Sequence, residues 1–163
     1  MQRALVVLMT LTASAALGQT RYEVENGALK VPSAVRFETG SDKLAAESDE
    51  ALNYVKGFLD EKKDITLLRI EGHTDTDGSE AFNQNLSEKR ALAIARWLAG
   101  KGVDCKRLLP VGFGGSKPVA PNDTPDNKAQ NRRFVFAPAA LRGHLIGGMP
   151  ADGGGRVAGD PCP

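Results

Sequence analysis

The chain has 163 residues, of which 41% are hydrophobic and 25% charged, values that are typical of one globular domain. Its 21 Lys and Arg against 20 Asp and Glu give a formal net charge of +1, which argues against general nucleic-acid binding and against a polybasic membrane anchor. Two cysteines cannot form a four-cysteine zinc site, and two histidines disfavour a histidine-rich one, so we predict no metal and no cofactor.

The first 18 residues have the pattern of a secretory signal peptide. Arg3 precedes an uncharged apolar run from Ala4 to Leu17, and the small residues Ala16 and Gly18 suit a cleavage site. The run is shorter than the roughly 20 residues that a membrane-spanning helix needs. We therefore predict an exported protein that lies in the periplasm or is associated with the outer membrane.

Composition divides the rest of the chain into three parts. Residues 19–32 form a lead segment, 33–138 the folded domain, and 139–163 a flexible tail. Residues 141–163 contain seven glycines and three prolines, too little apolar surface to offset the entropy of ordering the chain.

The first half of the domain predicts a strand, a helix and a second strand. Residues 34–37 form a short strand candidate, and residues 66–71 alternate as a strand does. Between them, Ser48 is an N-cap candidate for a helix. The apolar positions of this helix repeat along one face: Ala51, Leu52, Val55, Phe58 and Leu59.

The second half predicts a helix and two further strands. The helix runs from about Glu80 to Ala99, capped near Asp77 or Ser79, and is followed by a strand over residues 108–113. Pro110 cannot donate a ladder hydrogen bond, so this strand is predicted to lie at an edge or at a bulge. A turn-rich loop over 114–127 leads to a last strand over 133–137. The alternation implies an α/β (α+β) sandwich, with two main helices packed on a mixed sheet.

The densest polar cluster, residues 72–79, follows the second predicted strand. Ligands bind at this edge of open α/β sheets. His73 and Asp75 could be two metal ligands, but the chain offers no convincing third and fourth. It also lacks a G-x-S-x-G element, so we predict a non-enzyme and interpret His73 as a structural imidazole.

Arg90 interrupts an apolar stripe on the second predicted helix, formed with Leu86, Ile94 and Trp97. A shielded arginine needs a partner. One alternative is an intramolecular salt bridge with Asp75 or Asp77. The other is a shared pocket, in which Asp75 and Arg90 together match a zwitterion, since a carboxylate accepts an ammonium and a guanidinium binds a carboxylate.

Export places Cys105 and Cys162 in an oxidising compartment. We predict a disulfide between them that fastens the tail to the domain. The alternatives are two separate thiols or pairing with another chain.

A series of motifs lies between residues 33 and 137. In chain order the motifs are Ile70-Glu71-Gly72-His73-Thr74-Asp75, Asn83, Leu86-Ser87, Arg90-Ala91, Gly102, Arg107-Leu108, Gly112-Phe113-Gly114, Pro118, Asn122 and Asn131-Arg132-Arg133. In this order and spacing the series resembles the OmpA C-terminal-like peptidoglycan-binding family. The resemblance implies a βαβαβ-type fold. It also implies a ligand, the diaminopimelate of the peptidoglycan stem peptide, whose side-chain end is a zwitterion.

The resemblance also implies roles for individual residues. The implied ligand-binding residues are Asp75, Arg90, Leu86, Phe37, Glu38, Thr39 and Thr76. Phe37, Glu38 and Thr39 are expected to contribute through their backbone amides. His73, Asn83, Asn131 and Arg132 are expected to support the site, and for Asn131 and Arg132 a structural network at the sheet end is an equal alternative.

The resulting hypothesis is non-catalytic binding of peptidoglycan in the cell envelope. One alternative is an envelope structural or interaction subunit that docks on an outer-membrane or envelope protein partner. The other is a peptidoglycan hydrolase built on the same recognition.

Overall fold

The computed structural model describes residues 21–162. The predicted signal peptide, residues 1–18, lies outside them. The elements, in chain order, are β1 (Val24–Glu25), β2 (Ala28–Leu29), α1 (Asp49–Glu61), β3 (Ile65–His73), α2 (Glu80–Gly100), β4 (Leu108–Gly114), α3 (Pro125–Asn131), β5 (Phe134–Leu141), β6 (His144–Leu145) and β7 (Arg156–Val157).

The main sheet has five strands in the order β6-β5-β3-β4-β7. β3 and β4 run parallel, joined by the crossover helix α2, and the other neighbouring pairs run antiparallel. The first two strands form a separate hairpin. This mixed sheet with its helices confirms the predicted α/β sandwich.

The core lies between the sheet and the two long helices. The five apolar residues predicted on one face of α1 are all buried, as are Leu68 and Ile70 on the helix-facing side of β3. Gly72 also faces α2, and a Cβ built on it would lie 2.4 Å from the backbone oxygen of Ser87. The absence of a side chain there brings the helix close to the sheet.

The start of α1 differs from the prediction. Ser48 ends a short 3-10 helix (Ala46–Ser48), and its side chain does not cap α1. The hydroxyl instead accepts a hydrogen bond from the Arg36 amide and donates one to the Arg36 carbonyl, both at 2.7 Å. Ser48 therefore fastens the segment before the helix, because its hydroxyl meets a backbone distant in sequence.

The predicted strand over residues 34–37 is wrong. Only Phe37 pairs, in an isolated bridge with Leu44, because this segment turns back on itself at residues 38–43 instead of joining the sheet.

The loop predicted over 114–127 also differs at its end, where α3 begins at Pro125 with Thr124 as its N-cap. The Thr124 hydroxyl accepts a hydrogen bond from the Asn127 amide at 3.2 Å.

β4 is not an edge strand. It lies between β3 and β7, and its register with β3 shifts only at Gly72/His73, away from Pro110. Pro110 is tolerated because β7 pairs with Val111 and Gly112, while the Pro110 carbonyl accepts from the Ala158 amide at 3.0 Å.

Residues 139–162 of the tail are ordered, contrary to the prediction of a flexible extension. It contributes β6 and β7 to the sheet, and Cys162 forms a disulfide with Cys105, the pair expected from the sequence. Its glycines allow close packing: a Cβ at Gly155 would lie 2.4 Å from Val111 Cγ1. The predicted entropy cost is offset because the tail lies on an existing sheet and is cross-linked at its end.

Candidate ligand-binding site

The loop between β3 and α2 presents Asp75. Asn83, buried on the first turn of α2, donates from Nδ2 to the carbonyls of Asp75 (3.2 Å) and Asp77 (2.9 Å). Ser79 caps the helix, its hydroxyl accepting from the Phe82 amide at 3.2 Å. One of the two predicted caps is therefore present, and Asn83 hydrogen-bonds the loop that carries Asp75.

Both oxygens of the Asp75 carboxylate have partners. Oδ1 accepts from the Asp77 amide at 3.0 Å, and Oδ2 accepts from Arg132 Nη1 at 2.6 Å. The side chain of Asp75 is 10% exposed and that of Arg132 is 50% exposed. Asp75 is therefore a buried anion whose partner is a half-exposed cation.

Arg90 is half-buried on α2. Its Nε donates to the Ser41 carbonyl at 2.9 Å, and its Cζ lies 5.1 Å from the centroid of the Phe37 ring, which in turn packs on Phe134. Within residues 21–162 no acidic side chain forms an ion pair with it. Burial lowers the pKa of the Arg90 guanidinium, against a smaller opposing effect of Asp42.

Arg90 opens onto a cleft of about 350 Å³. The residues lining the cleft are Val35, Arg36, Phe37, Thr39, Gly40, His73, Arg90, Arg132 and Phe134. Three of these are arginines and none is acidic. The cleft therefore suits an anionic group, with Asp75 reached through Arg132.

The salt bridge that was one alternative for Arg90 is not formed, because both candidate partners bind other cations. Arg90 does not pair with Asp75 or Asp77, because Asp75 binds Arg132 and Asp77 binds Lys128 at 2.8 Å. From the sequence, Arg132 is expected only in a supporting role, and neither Arg36 nor Ser41 stands out. The pairing of Arg132 with Asp75 could have been predicted from its position. Arg132 directly precedes the strand predicted over 133–137, at the same edge of the sheet as Asp75.

The segment after Phe37 is only partly placed as the resemblance implies. Thr39 lines the cleft. The amide of Glu38 donates to the Lys43 carbonyl at 2.9 Å, and its carboxylate pairs with Lys43 Nζ at 2.7 Å. The Glu38 amide is therefore used within its own turn.

Leu86 and Thr76 do not line the cleft. Leu86 is half-buried on α2, whereas Thr76 is exposed, and its amide donates to Asn122 Oδ1 at 3.3 Å. Thr76 borders a second cavity, of about 300 Å³, at the start of α2.

His73 points its ring to the sheet face opposite α2. The imidazole stacks on Phe113, with ring centroids 5.0 Å apart, and its Nε2 lies 3.1 Å from Glu71 Oε2. Burial, reinforced by nearby Arg133 and Lys117 and opposed by Glu71, lowers the pKa of His73. These contacts agree with a structural imidazole.

Asn131 is fully buried at the end of α3. Its Oδ1 accepts from the amides of Val119 and Ala120, and its Nδ2 donates to the Ala120 carbonyl and to Asn122 Oδ1. The amide is satisfied within the fold, so the structural alternative describes it. By holding the end of α3, Asn131 positions the neighbouring Arg132.

No helix within residues 21–162 combines the length and apolar character that crossing a membrane requires. In the same part of the chain, no three His, Cys, Asp or Glu side chains are grouped closely enough to hold a metal ion.

The motif series and the fold point to one family. A family model described as "OmpA family" matches residues 36–132, more than half of the chain. The chain belongs to the OmpA family. The match includes both Asp75 and Arg90 and ends at Arg132, so these three charged residues of the candidate site lie within the family region.

Curated relatives share this region. The chain is 36% identical to the probable lipoprotein YiaD of Escherichia coli over 72% of its own length and 53% of that protein. It is 38% identical to the outer-membrane lipoprotein YfiB of Pseudomonas aeruginosa over 66% of its length and 64% of that protein. The chain thus spans less than two thirds of either relative.

Solved structures share the fold. The peptidoglycan-associated lipoprotein of Burkholderia pseudomallei is similar with a TM-score of 0.58 and 30% identity, over 64% of this chain and 87% of that one. A putative MotB-like protein of Desulfovibrio vulgaris gives 0.59 and 29%, over 76% and 81%.

Proposed function

We propose that this chain is a non-catalytic module that binds peptidoglycan in the cell envelope, through the diaminopimelate of the stem peptide. The observation that carries the proposal is Arg90, a half-buried guanidinium that opens onto a cleft and has no acidic partner among the described residues. A free carboxylate on the ligand would complete its hydrogen bonds.

Asp75 supports the second half of the recognition. It is a buried carboxylate at the same cleft, separated from it by Arg132, and it suits the ammonium that lies beside the ligand's carboxylate. The similarity to a protein named a peptidoglycan-associated lipoprotein supports the same ligand class. Export to the periplasm or the outer membrane is part of the proposal.

A sedimentation assay with purified sacculi tests the site. We expect Asp75→Ala and Arg90→Ala each to weaken binding at least about tenfold, the effect of losing one charged partner from a shielded contact. Arg96→Ala is the matched control, because it removes an exposed arginine from the same helix outside the cleft. Added diaminopimelate should compete, and lysine, which lacks the second carboxylate, should compete poorly.

Sedimentation of both site variants as efficiently as the wild type would overturn the site assignment. Release of soluble muropeptides from sacculi by the pure protein would instead favour a hydrolase. The expected result is binding without release.

A further inference from the structure

The Asp75 carboxylate is covered in this structure. Its Oδ1 is bound by the Asp77 amide and its Oδ2 by Arg132, so a ligand ammonium that approaches from the cleft meets the Arg132 guanidinium first. Arg132 lines the cleft, whereas Asp75 does not.

Two cations at the end of α3 hold the Asp75 loop. Lys128 Nζ lies 2.8 Å from Asp77 Oδ1, and Arg132 Nη1 lies 2.6 Å from Asp75 Oδ2. The helix backbone beside them is anchored separately by the buried Asn131 amide. The Arg132 side chain can therefore leave Asp75 without any change in the helix.

The Arg132 guanidinium can be solvated when a ligand displaces it from Asp75. Half of the Arg132 side chain is exposed, so water can replace the carboxylate as its partner at little cost. Asp75, only 10% exposed, cannot be hydrated in the same way and needs a replacement cation. A ligand ammonium is such a cation.

We propose that Arg132 is a latch over Asp75 that determines which ligands the cleft accepts. This inference rests on the proposed function and concerns the same site. With the latch closed, the cleft presents Arg36, Arg90 and Arg132 and accepts a simple carboxylate. With the latch open, Asp75 joins Arg90 and the cleft accepts a zwitterion, so zwitterion binding includes the cost of displacing Arg132.

Two ligands of equal chain length separate the two states. Diaminopimelate carries an ammonium beside each carboxylate, whereas pimelate has the same seven-carbon diacid without the amines. We expect Arg132→Ala to tighten diaminopimelate binding about three- to tenfold, because the Arg132 guanidinium no longer competes with the ligand ammonium for Asp75. The same variant should weaken pimelate binding by up to about fivefold, because the cleft loses one half-exposed cation.

Arg36→Ala is the matched control. It removes another arginine from the cleft wall, but Arg36 makes no contact with Asp75 and no ion pair among the described residues. It should weaken both ligands to a similar, small extent. Calorimetric titration of the purified full chain gives the affinities, and thermal unfolding checks that each variant is folded.

The outcomes distinguish the latch from the function on which it rests. Binding of diaminopimelate by the wild type that Arg132→Ala weakens, or a change of both ligands in the same direction, overturns the latch alone. Binding of diaminopimelate by Arg132→Ala but not by the wild type supports a firmly closed latch. If neither protein binds diaminopimelate, the proposed function fails and the latch fails with it.

Discussion

Single residues at the end of β3 serve two opposite faces of the sheet. Gly72 faces α2, and the adjacent His73 points its ring to the other face, where Glu71 contacts both His73 and Arg69. The alternation of a strand places a ligand-side loop and a buried charged network within a few residues of each other.

The buried imidazole should make stability depend on pH. The groups around it are Glu71 and Arg69 on β3, Phe113 on β4, and the nearby cations Lys117 and Arg133. Because burial lowers the pKa of His73, the unfolded chain takes up a proton below about pH 6.5 that the folded chain does not. The free energy of unfolding therefore falls as the pH drops through this range, with a slope of at most about 1.4 kcal/mol per pH unit.

His73→Gln removes this titration while keeping a side chain that can hydrogen-bond Glu71. Denaturant unfolding between pH 6.5 and 5 should show a flatter dependence in this variant than in the wild type. Burial would raise the pKa of Glu71, but hydrogen bonds from His73 and Arg69 lower it. The titration of Glu71 therefore affects the free energy of unfolding only at a lower pH than this range. His144→Gln, on exposed β6, is the control, and equal slopes in the wild type and His73→Gln would contradict the prediction.

At the scale of elements, the contact between α2 and the sheet depends on two glycines. A Cβ at Gly72 would lie 2.4 Å from the Ser87 carbonyl oxygen, and one at Gly112 would lie 2.7 Å from the Glu88 amide nitrogen. Ser87 also bridges the elements, since its hydroxyl accepts from the Gly114 amide at 2.9 Å. This close approach places Arg90, one turn further along α2, at the cleft.

Gly72→Ala should force α2 away from the sheet. We expect a loss of about 1–3 kcal/mol in the free energy of unfolding, the cost of overpacking against a backbone that cannot rotate away. Gly100→Ala, at the end of the same helix, has open space around its Cβ and should be neutral or slightly stabilising. Chemical denaturation measures both, and similar stabilities for the two variants would rule out the close-packing argument.

Over the whole molecule, the tail crosses the sheet face opposite the helices and ends in a covalent link. On this face Arg69 Nη1 donates to the Ala151 carbonyl at 3.1 Å, and Lys117 Nζ donates to the Gly153 carbonyl at 3.0 Å. At the β7 edge of the sheet, Arg156 pairs instead with Glu88 on α2. The tail thereby covers the Arg69, Glu71 and His73 network. None of the residues that line the cleft belongs to the tail.

Replacing both Cys105 and Cys162 by Ser should lower stability without changing the cleft. The bridge joins residues 57 positions apart, and the chain-entropy model gives a loss of up to about 4 kcal/mol. Trypsin should cut at Arg142 or Arg156 faster in this variant, while sacculus binding stays unchanged. Two free thiols in the unfolded, unreduced wild type would show that the bridge does not form.

Patterns of neighbouring residues determined much of this protein. The apolar spacing in α1, the alternation in β3 and the cap of α2 each depend on residues within a few positions of one another. The order of these elements required a crossover and a mixed sheet, and the motifs from Ile70 to Arg133 indicated the family. Asp75 and Arg90 could accordingly be proposed as site residues from the sequence.

Only the tertiary structure decided which groups meet across long distances in the chain. Ser48 binds Arg36 instead of capping α1, Asp75 pairs with Arg132, 57 positions away, and the tail docks on β4. Each of these groups had other partners compatible with its local pattern, and the choice depended on which one the folded sheet and α3 brought within hydrogen-bond distance. A hydrogen bond or ion pair is selected by proximity in space, which a local periodicity does not specify.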